Sequence, residues 1–179
     1  MRQLRLEPAL WSVLCGRAAL WPGCRALPLE ERELLPQQIR SQLPHLAILL
    51  AKGEVRGLII RGNNSSGRRS LAAELAELLN LKAIEVAPEL WQQHAAFPLA
   101  CKLANWLPVI KVDIAAGESW QLPNIRPAIP HVVILGMNDA VTGQDMLEVE
   151  MGVPVEAERR ALWDRYLQQS DLTQQAATA

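Results

Sequence analysis

The sequence predicts an α/β fold in which a mainly parallel, five-stranded sheet is flanked by helices. Five short runs rich in Val and Ile follow one another from residue 55 onward, and helical stretches lie between the first three. Strands buried on both faces have continuous apolar runs of this kind, and strand–helix alternation places them parallel in one sheet. No apolar run approaches the roughly 20 residues of a membrane-spanning helix, so no membrane association is expected.

Residues 1–33 are predicted to form an N-terminal helical extension. Three apolar residues fall there at helical spacing: Leu10, Trp11 and Leu14. Pro22-Gly23 then marks a turn. Two arginines before a moderately apolar stretch superficially resemble a signal peptide, but Glu7, Pro8 and Arg17 interrupt the stretch. We therefore expect a cytoplasmic protein with an N-terminal extension.

Residues 34–168 are predicted to form the α/β core, and residues 169–179, which are polar and small, a disordered tail. The core starts with an amphipathic helix whose stripe is Ile39, Leu43, Leu46 and Leu50. Pro44 falls within this stripe, so a kink or a break is expected there, and Gly53 ends the helix. The five strand runs are residues 55–61, 83–86, 109–114, 131–137 and 147–153.

The helices after the first and second strands are predicted from two further apolar stripes. The first stripe is Leu71, Leu75, Leu78 and Leu79, and the second is Leu99, Leu103 and Trp106. A last helix is expected over about 154–168, where Arg159 and Arg160 would be solvated or ion-paired.

A glycine-containing loop connects the first strand directly to the first leucine helix. It consists of Gly62, Asn63, Asn64, Ser65, Ser66, Gly67, Arg68, Arg69 and Ser70. Its glycines have the spacing of the P-loop, G-x-x-x-x-G-K-[ST], in which glycine permits positive φ and close approach to a phosphate. Backbone N–H groups and the dipole at the start of the helix then favour an anion. We predict that these residues bind the phosphates of a nucleotide.

Two positions of the loop depart from the P-loop pattern. Arg68 stands in place of the lysine, and Arg69 in place of the hydroxyl that binds Mg²⁺. Ser70 comes one residue late and would substitute only if the loop bulged. Two arginines in a first helical turn oppose the helix dipole at roughly 0.3–1 kcal/mol each, a penalty that bound phosphate would reverse. The alternative interpretation is a strand–helix turn with solvated arginines.

Polar residues follow the third and fourth predicted strands. Asp113 ends the third strand, where a P-loop NTPase needs an aspartate for the Mg²⁺ shell. Asn138 and Asp139 end the fourth strand, and Glu118 lies in the loop after Asp113. The alternatives are that Asp113 caps a strand and that Asn138-Asp139 forms a turn.

Taken together, the loop, Asp113, Asn138 and the stretch 148–160 resemble the large subdomain of an AAA+ ATPase over residues 34–167. The resemblance implies ATP and Mg²⁺ as ligands, with Asp113 in the metal shell, Glu118 as a candidate base and Asn138 orienting water. It also implies protein partners in a larger assembly that the ATPase remodels or assembles, and a possible homo-oligomer of the full-length protein. The Gly-Arg-Arg-Ser variant is most similar to the ATPases encoded with bacterial contractile injection (phage-tail-like) particles.

Departures from the family pattern keep a second interpretation open. Ile114 stands where the family carries a glutamate, and no Lys or Arg between Arg126 and Arg159 is available as an arginine finger. The helical lid expected after the last helix is missing, as in a piece of a larger protein or a reduced relative. These departures favour a nucleotide-free docking or assembly module. Nucleic-acid binding by the loop arginines is a third, less favoured interpretation, because the net charge is -1.

The remaining candidate residues are interpreted as structural. The histidines have no metal-ligand spacing with each other or with the three cysteines, which are read as free thiols. Trp91 and Phe97 follow the second strand, where the resemblance would place a substrate-gripping pore loop, but we prefer helix packing for both.

Overall fold

A six-stranded sheet lies at the centre of the protein. The computed structural model describes residues 7–17, 19–27, 35–115, 118–121, 129–142, 146–161, 163–164 and 167. The strands of the sheet are β1 (Arg25–Ala26), β2 (Gly57–Gly62), β3 (Lys82–Val86), β4 (Trp106–Lys111), β6 (His131–Leu135) and β8 (Met146–Met151). The strands β5 (Ser119–Gln121) and β7 (Ala140–Thr142) form a separate parallel pair. The helices are α1 (Pro8–Leu14), α2 (Gln37–Lys52), α3 (Arg68–Leu78), α4 (Pro88–Gln93) and α5 (Phe97–Ala104).

The strand order in the main sheet is β1-β3-β4-β6-β2-β8. Strands β3, β4, β6, β2 and β8 pair in parallel, and β1 pairs antiparallel with β3 at the edge. Strand β2 is therefore flanked by β6 and β8, which come later in the chain. Because the carboxyl ends of parallel strands meet at one edge, the loops after β2, β6 and β8 converge there.

Alternate residues of the strands supply two hydrophobic cores, one on each face of the sheet. Leu58 and Ile60 of β2 pack in the core covered by α2 and α3. Ile59, between them, packs in the core that contains Trp91 and Phe97. This alternation follows from the two-residue period of a strand, and burial on both faces explains why the runs are continuously apolar.

The predicted α/β class with a parallel sheet flanked by helices is confirmed. All five predicted runs contain strands of the main sheet, with boundaries that differ by a few residues at the strand ends. The antiparallel β1 and the small β5–β7 sheet were not predicted. Strand β1 has only two residues, too few for a periodic signal.

Of the kink or break expected at Pro44, the break is wrong, because α2 runs from Gln37 to Lys52 with this proline inside it, and the kink stays a prediction. Proline removes the hydrogen bond to the carbonyl of Arg40. Both residues lie on the exposed side of the helix, so water can take the place of the lost donor. The expected helix end is confirmed by Gly53, which adopts a φ of 70° at the C-cap.

The predicted apolar stripe of α5 is also wrong. Leu99 and Leu103 are exposed, and Trp106 starts β4 instead of continuing the helix. The buried face of α5 is formed by Phe97, Pro98, Ala100 and Cys101. Asn105, at φ 55°, ends the helix and directs the chain into the strand.

Parts of the predicted N-terminal extension pack on the same sheet as the core. Leu10 of α1 and Trp21 are buried in the core that contains Trp91, and β1 adds a strand beside β3. Within the described part of the chain, every helix is too short or too polar to span a bilayer. The predicted tail, 169–179, lies outside the described residues.

Residues 156–161 are helical, in the stretch predicted as the last helix. Arg159 donates to the carbonyl of Pro154 at 2.9 Å, and Arg160 lies 3.5 Å from Glu156. Both arginines are exposed, so the expectation of solvated or ion-paired side chains is confirmed.

Candidate functional site

The predicted phosphate loop connects the carboxyl end of β2 to the first residue of α3. Gly67, at φ 85°, is the N-cap of α3, and its carbonyl accepts the N–H of Leu71 at 2.9 Å. Ser65 also has a positive φ, 62°, which is uncommon for a residue other than glycine. No side chain of the described residues caps the start of α3. The helix therefore presents its positive end at the edge of the sheet where several loops converge.

Gly62 is closely covered by the loop that follows it. A Cβ at this position would lie 2.5 Å from Ser66 Oγ, 2.9 Å from Met151 Cβ and 3.3 Å from Arg68 Cδ. Only glycine fits here without movement of the loop or of β8. The first glycine of the motif is thus required by close approach, and the second, Gly67, by its positive φ.

Ser66 carries a polar atom without a partner. Its Oγ is buried and makes no hydrogen bond with any residue that the structure describes. The Ser66 N–H donates to the carbonyl of Asn63 at 3.2 Å, so only the hydroxyl is unsatisfied. A buried hydroxyl without a partner is unfavourable.

The guanidinium of Arg68 joins the loop to the end of a neighbouring strand. It donates to the carbonyl of Leu135, the last residue of β6, and to Asn64 Oδ1 at 3.0 Å. Arg68 is only 9% exposed. Burial lowers the pKa of Arg68, whereas Asp113 and Asp139 raise it, so the side chain remains a cation held beside two carboxylates.

The two residues that follow Arg68 in α3, Arg69 and Ser70, differ in exposure. Arg69 is half exposed and pairs with Glu85 of β3 at 2.9 Å. Ser70 is buried in the first turn of α3. Arg69 therefore directs its charge toward β3, and Arg68 alone of the two arginines bonds within the loop.

Arg61 is a residue at this edge that the sequence interpretation missed. It is the penultimate residue of β2 and bonds both to Glu148 of β8 and to the carbonyl of Asp139. It thus connects β2 to β8 and to the turn after β6. The available signal was an arginine inside an otherwise apolar strand, because a buried charge needs partners.

The predicted metal and catalytic residues lie at the same edge but point to protein partners or to solvent. Asp113 is 81% exposed and accepts a bond from Lys111 Nζ at 2.8 Å. Asn138 is exposed in the turn after β6, and Asp139 accepts the N–H of Gly136 at 2.7 Å, as expected for the turn alternative. Glu118 is exposed and makes no hydrogen bond or ion pair with the loop residues described.

The side chains around the loop fit an anion better than a divalent cation. Mg²⁺ requires several oxygen ligands in near-octahedral geometry. The position that would supply a hydroxyl carries Arg69, and the carboxylate of Asp113 is paired with Lys111. Over the described ranges, no group of three or more His, Cys, Asp or Glu residues could hold a metal ion.

Of the residues interpreted as structural, Trp91, Phe97 and His131 are buried, whereas Cys15 and His45 are exposed. Trp91 and Phe97 are buried with ring centroids 5.7 Å apart, which confirms helix packing for both. His131 is buried and its Nδ1 lies 3.1 Å from the carbonyl of Ile129. Burial raises the pKa of Cys24 to about 11 and raises that of Cys101 further, so neither is a thiolate at neutral pH.

The fold and loop define an α/β protein with a phosphate-loop-like turn at the carboxyl end of the parallel strand β2. No protein-family model matches the sequence, and no curated protein matches it either. In structure the chain is similar to C. elegans PCH-2, an AAA+ ATPase, with a TM-score of 0.47 and 11% identity. The match covers 76% of this chain and 49% of that one, so the chain spans about half the length of PCH-2.

Proposed function

We propose that this chain is a nucleotide-binding module of AAA+ type that holds the phosphates of ATP or ADP in residues 62–70. The observation that carries the proposal is Gly67, which opens an uncapped helix after the carboxyl end of β2, a strand paired in parallel on both sides. Ligands of open α/β sheets bind at that edge, and the positive end of a helix favours phosphate. The proposal extends to a role in the assembly or remodelling of a protein partner.

Charge and hydrogen bonding in the loop support a phosphate as the ligand. The unsatisfied Ser66 hydroxyl could donate to a phosphate oxygen. Arg68 places a buried positive charge beside the same turn, and its guanidinium is a good partner for phosphate. A bound anion would also offset the unfavourable position of two arginines at a helix N-terminus.

We expect the module to hydrolyse the nucleotide slowly or not at all. Arg68 bonds to Leu135 at the end of β6, next to the turn where Asn138 would orient water. Asn138 and Glu118 are both exposed, and Ile114 replaces the glutamate of the family pattern. Positioning of water and charge supplies most of the catalysis in phosphoryl transfer, so these replacements favour binding without turnover.

The likeness of the Gly-Arg-Arg-Ser segment to ATPases of contractile injection particles suggests one kind of partner. On this proposal the module would contact a component of such a particle, or another copy of itself in the full-length protein. Nucleotide occupancy of the loop would then favour assembly, since a ligand that orders the loop also orders the ends of β2 and β6 that Arg61 and Arg68 connect.

A second candidate function is a docking module that binds no nucleotide. The observation that favours it is the pair of internal partners of Arg68, the carbonyl of Leu135 and Asn64 Oδ1. On this reading the guanidinium holds the loop in place by itself, and phosphate would have to compete with both partners.

Calorimetric titration with ADP, ATP and a non-hydrolysable ATP analogue separates the two functions. The proteins are the wild type, Arg68→Ala and the control Arg17→Ala, which removes an exposed arginine after α1. Micromolar binding, about −8 kcal/mol, that is lost only in Arg68→Ala supports the phosphate site. No binding by a wild type that is folded by circular dichroism would refute it and favour the docking module. Binding of DNA that weakens steeply with salt would instead support the nucleic-acid interpretation.

A further inference from the structure

The start of α3 lacks the hydroxyl through which a phosphate loop usually contacts magnesium. Arg69 occupies that position, and its guanidinium pairs with Glu85 at 2.9 Å. The pairing directs the side chain toward β3, and a cation there could not ligate Mg²⁺. One of the oxygen ligands expected for a metal is therefore replaced by a positive charge.

The carboxylates near the loop already have partners in the protein. Asp113 Oδ2 accepts a bond from Lys111 Nζ at 2.8 Å. Asp113 and Asp139 also lie within electrostatic range of Arg68, since each raises the pKa of that guanidinium. Asp139 in addition accepts the N–H of Gly136. A divalent cation at Asp113 would lie close to Lys111 and Arg68, and the repulsion from both positive charges is unfavourable.

We infer that this site binds a nucleotide phosphate without a divalent cation, and that Arg68 supplies the positive charge in its place. The inference rests on the proposed nucleotide-binding function and departs from the magnesium role that the sequence predicts for Asp113. The ligand of the site would be the metal-free nucleotide, which carries more negative charge than the magnesium complex of the same nucleotide. A cationic site without metal ligands favours the more negative form.

The test is a thermodynamic cycle of ADP affinity in two buffers of equal ionic strength, one with MgCl₂ and one with EDTA. The wild type is compared with Asp113→Asn, an exposed position where the change leaves packing intact. Glu54→Gln is the matched control, because Glu54 also pairs with a lysine two residues away, Lys52, but precedes the amino end of β2. Isothermal titration measures each dissociation constant, and thermal melts of the free proteins confirm that all three are folded.

We expect the wild type to bind ADP in EDTA at least as tightly as in MgCl₂. Asp113→Asn should bind ADP equally or more tightly in both buffers, because it removes a negative charge beside Arg68. Glu54→Gln should match the wild type. If the wild type bound ADP about tenfold more weakly in EDTA than in MgCl₂, and Asp113→Asn did not, Asp113 would be assigned to a metal shell. That result would overturn the inference but leave the proposed nucleotide-binding function in place. No ADP binding in either buffer would overturn the proposed function and the inference with it.

Discussion

Removal of the Ser66 hydroxyl should change stability and nucleotide affinity in opposite directions. In the free protein Ser66 Oγ is buried without a partner, and such a group costs about 1–3 kcal/mol. Ser66→Ala should therefore raise the free energy of unfolding, by about 1 kcal/mol once the small void left by the oxygen is considered. With phosphate bound, the same hydroxyl would donate to a charged oxygen. Its loss should weaken ADP binding by about tenfold, or ~1.4 kcal/mol.

Urea unfolding with and without ADP measures both effects on the same protein. At an ADP concentration about 100 times its dissociation constant, the wild type should gain ~2.7 kcal/mol, and the variant about 1.3 kcal/mol less. Ser41→Ala is the control, because the Ser41 hydroxyl already bonds to the carbonyl of Gln38 at 2.8 Å. A Ser66→Ala protein that is less stable without ADP would show that the hydroxyl has a partner. Unchanged ADP affinity would show that it does not face the phosphates.

Three further predictions concern other parts of the fold. Gly62→Ala should lower the free energy of unfolding by about 1–3 kcal/mol in the same urea assay, because the new Cβ would lie 2.5 Å from Ser66 Oγ. The control is Gly152→Ala, whose Cβ would have no atom within 4 Å. It should change the free energy of unfolding by under about 0.5 kcal/mol. Burial lowers the pKa of His131 from 6.5, so the unfolded chain takes up this proton at a higher pH than the folded protein does. Stability should then fall as the pH drops below 6.5, by at most about 1.4 kcal/mol per pH unit, and an unchanged slope in His131→Gln would contradict the assignment. Ellman's reagent should react rapidly with one thiol, that of the exposed Cys15, because burial raises the pKa of Cys24 to about 11. A second thiol that reacts rapidly would be inconsistent with the burial of Cys24.

The regular part of the fold could be predicted because its signals are local. Strand β6 is five consecutive buried residues that are apolar after His131, and β2 is apolar up to Arg61. The spacing of Gly62 and Gly67 predicts the loop, since each glycine meets a separate steric requirement in the structure. Period and composition carry this information without knowledge of the partners.

The elements that were missed depend on contacts between distant parts of the chain. The short β1 exists because Arg25 and Ala26 pair with β3, and two residues are too few to show the pattern that would predict a strand. The α5 stripe was misread because Leu99 and Leu103 have helical spacing, whereas the sheet covers the face that carries Phe97 instead. Helical spacing identifies a possible apolar face, but tertiary packing decides which face is buried.

The partners of the charged residues were the least predictable feature, and they determine what the loop can do. Position 68 is read from the sequence as a phosphate-binding cation, but its bonds to Leu135 and Asn64 depend on β6 lying beside β2. Likewise the ion pair of Asp113 with Lys111 could not be predicted from the position of Asp113 at the end of a strand. The backbone of the loop has features that favour phosphate, whereas Arg69 supplies no ligand for a metal. Binding and turnover depend on different groups, so a chain can keep the first after losing the second.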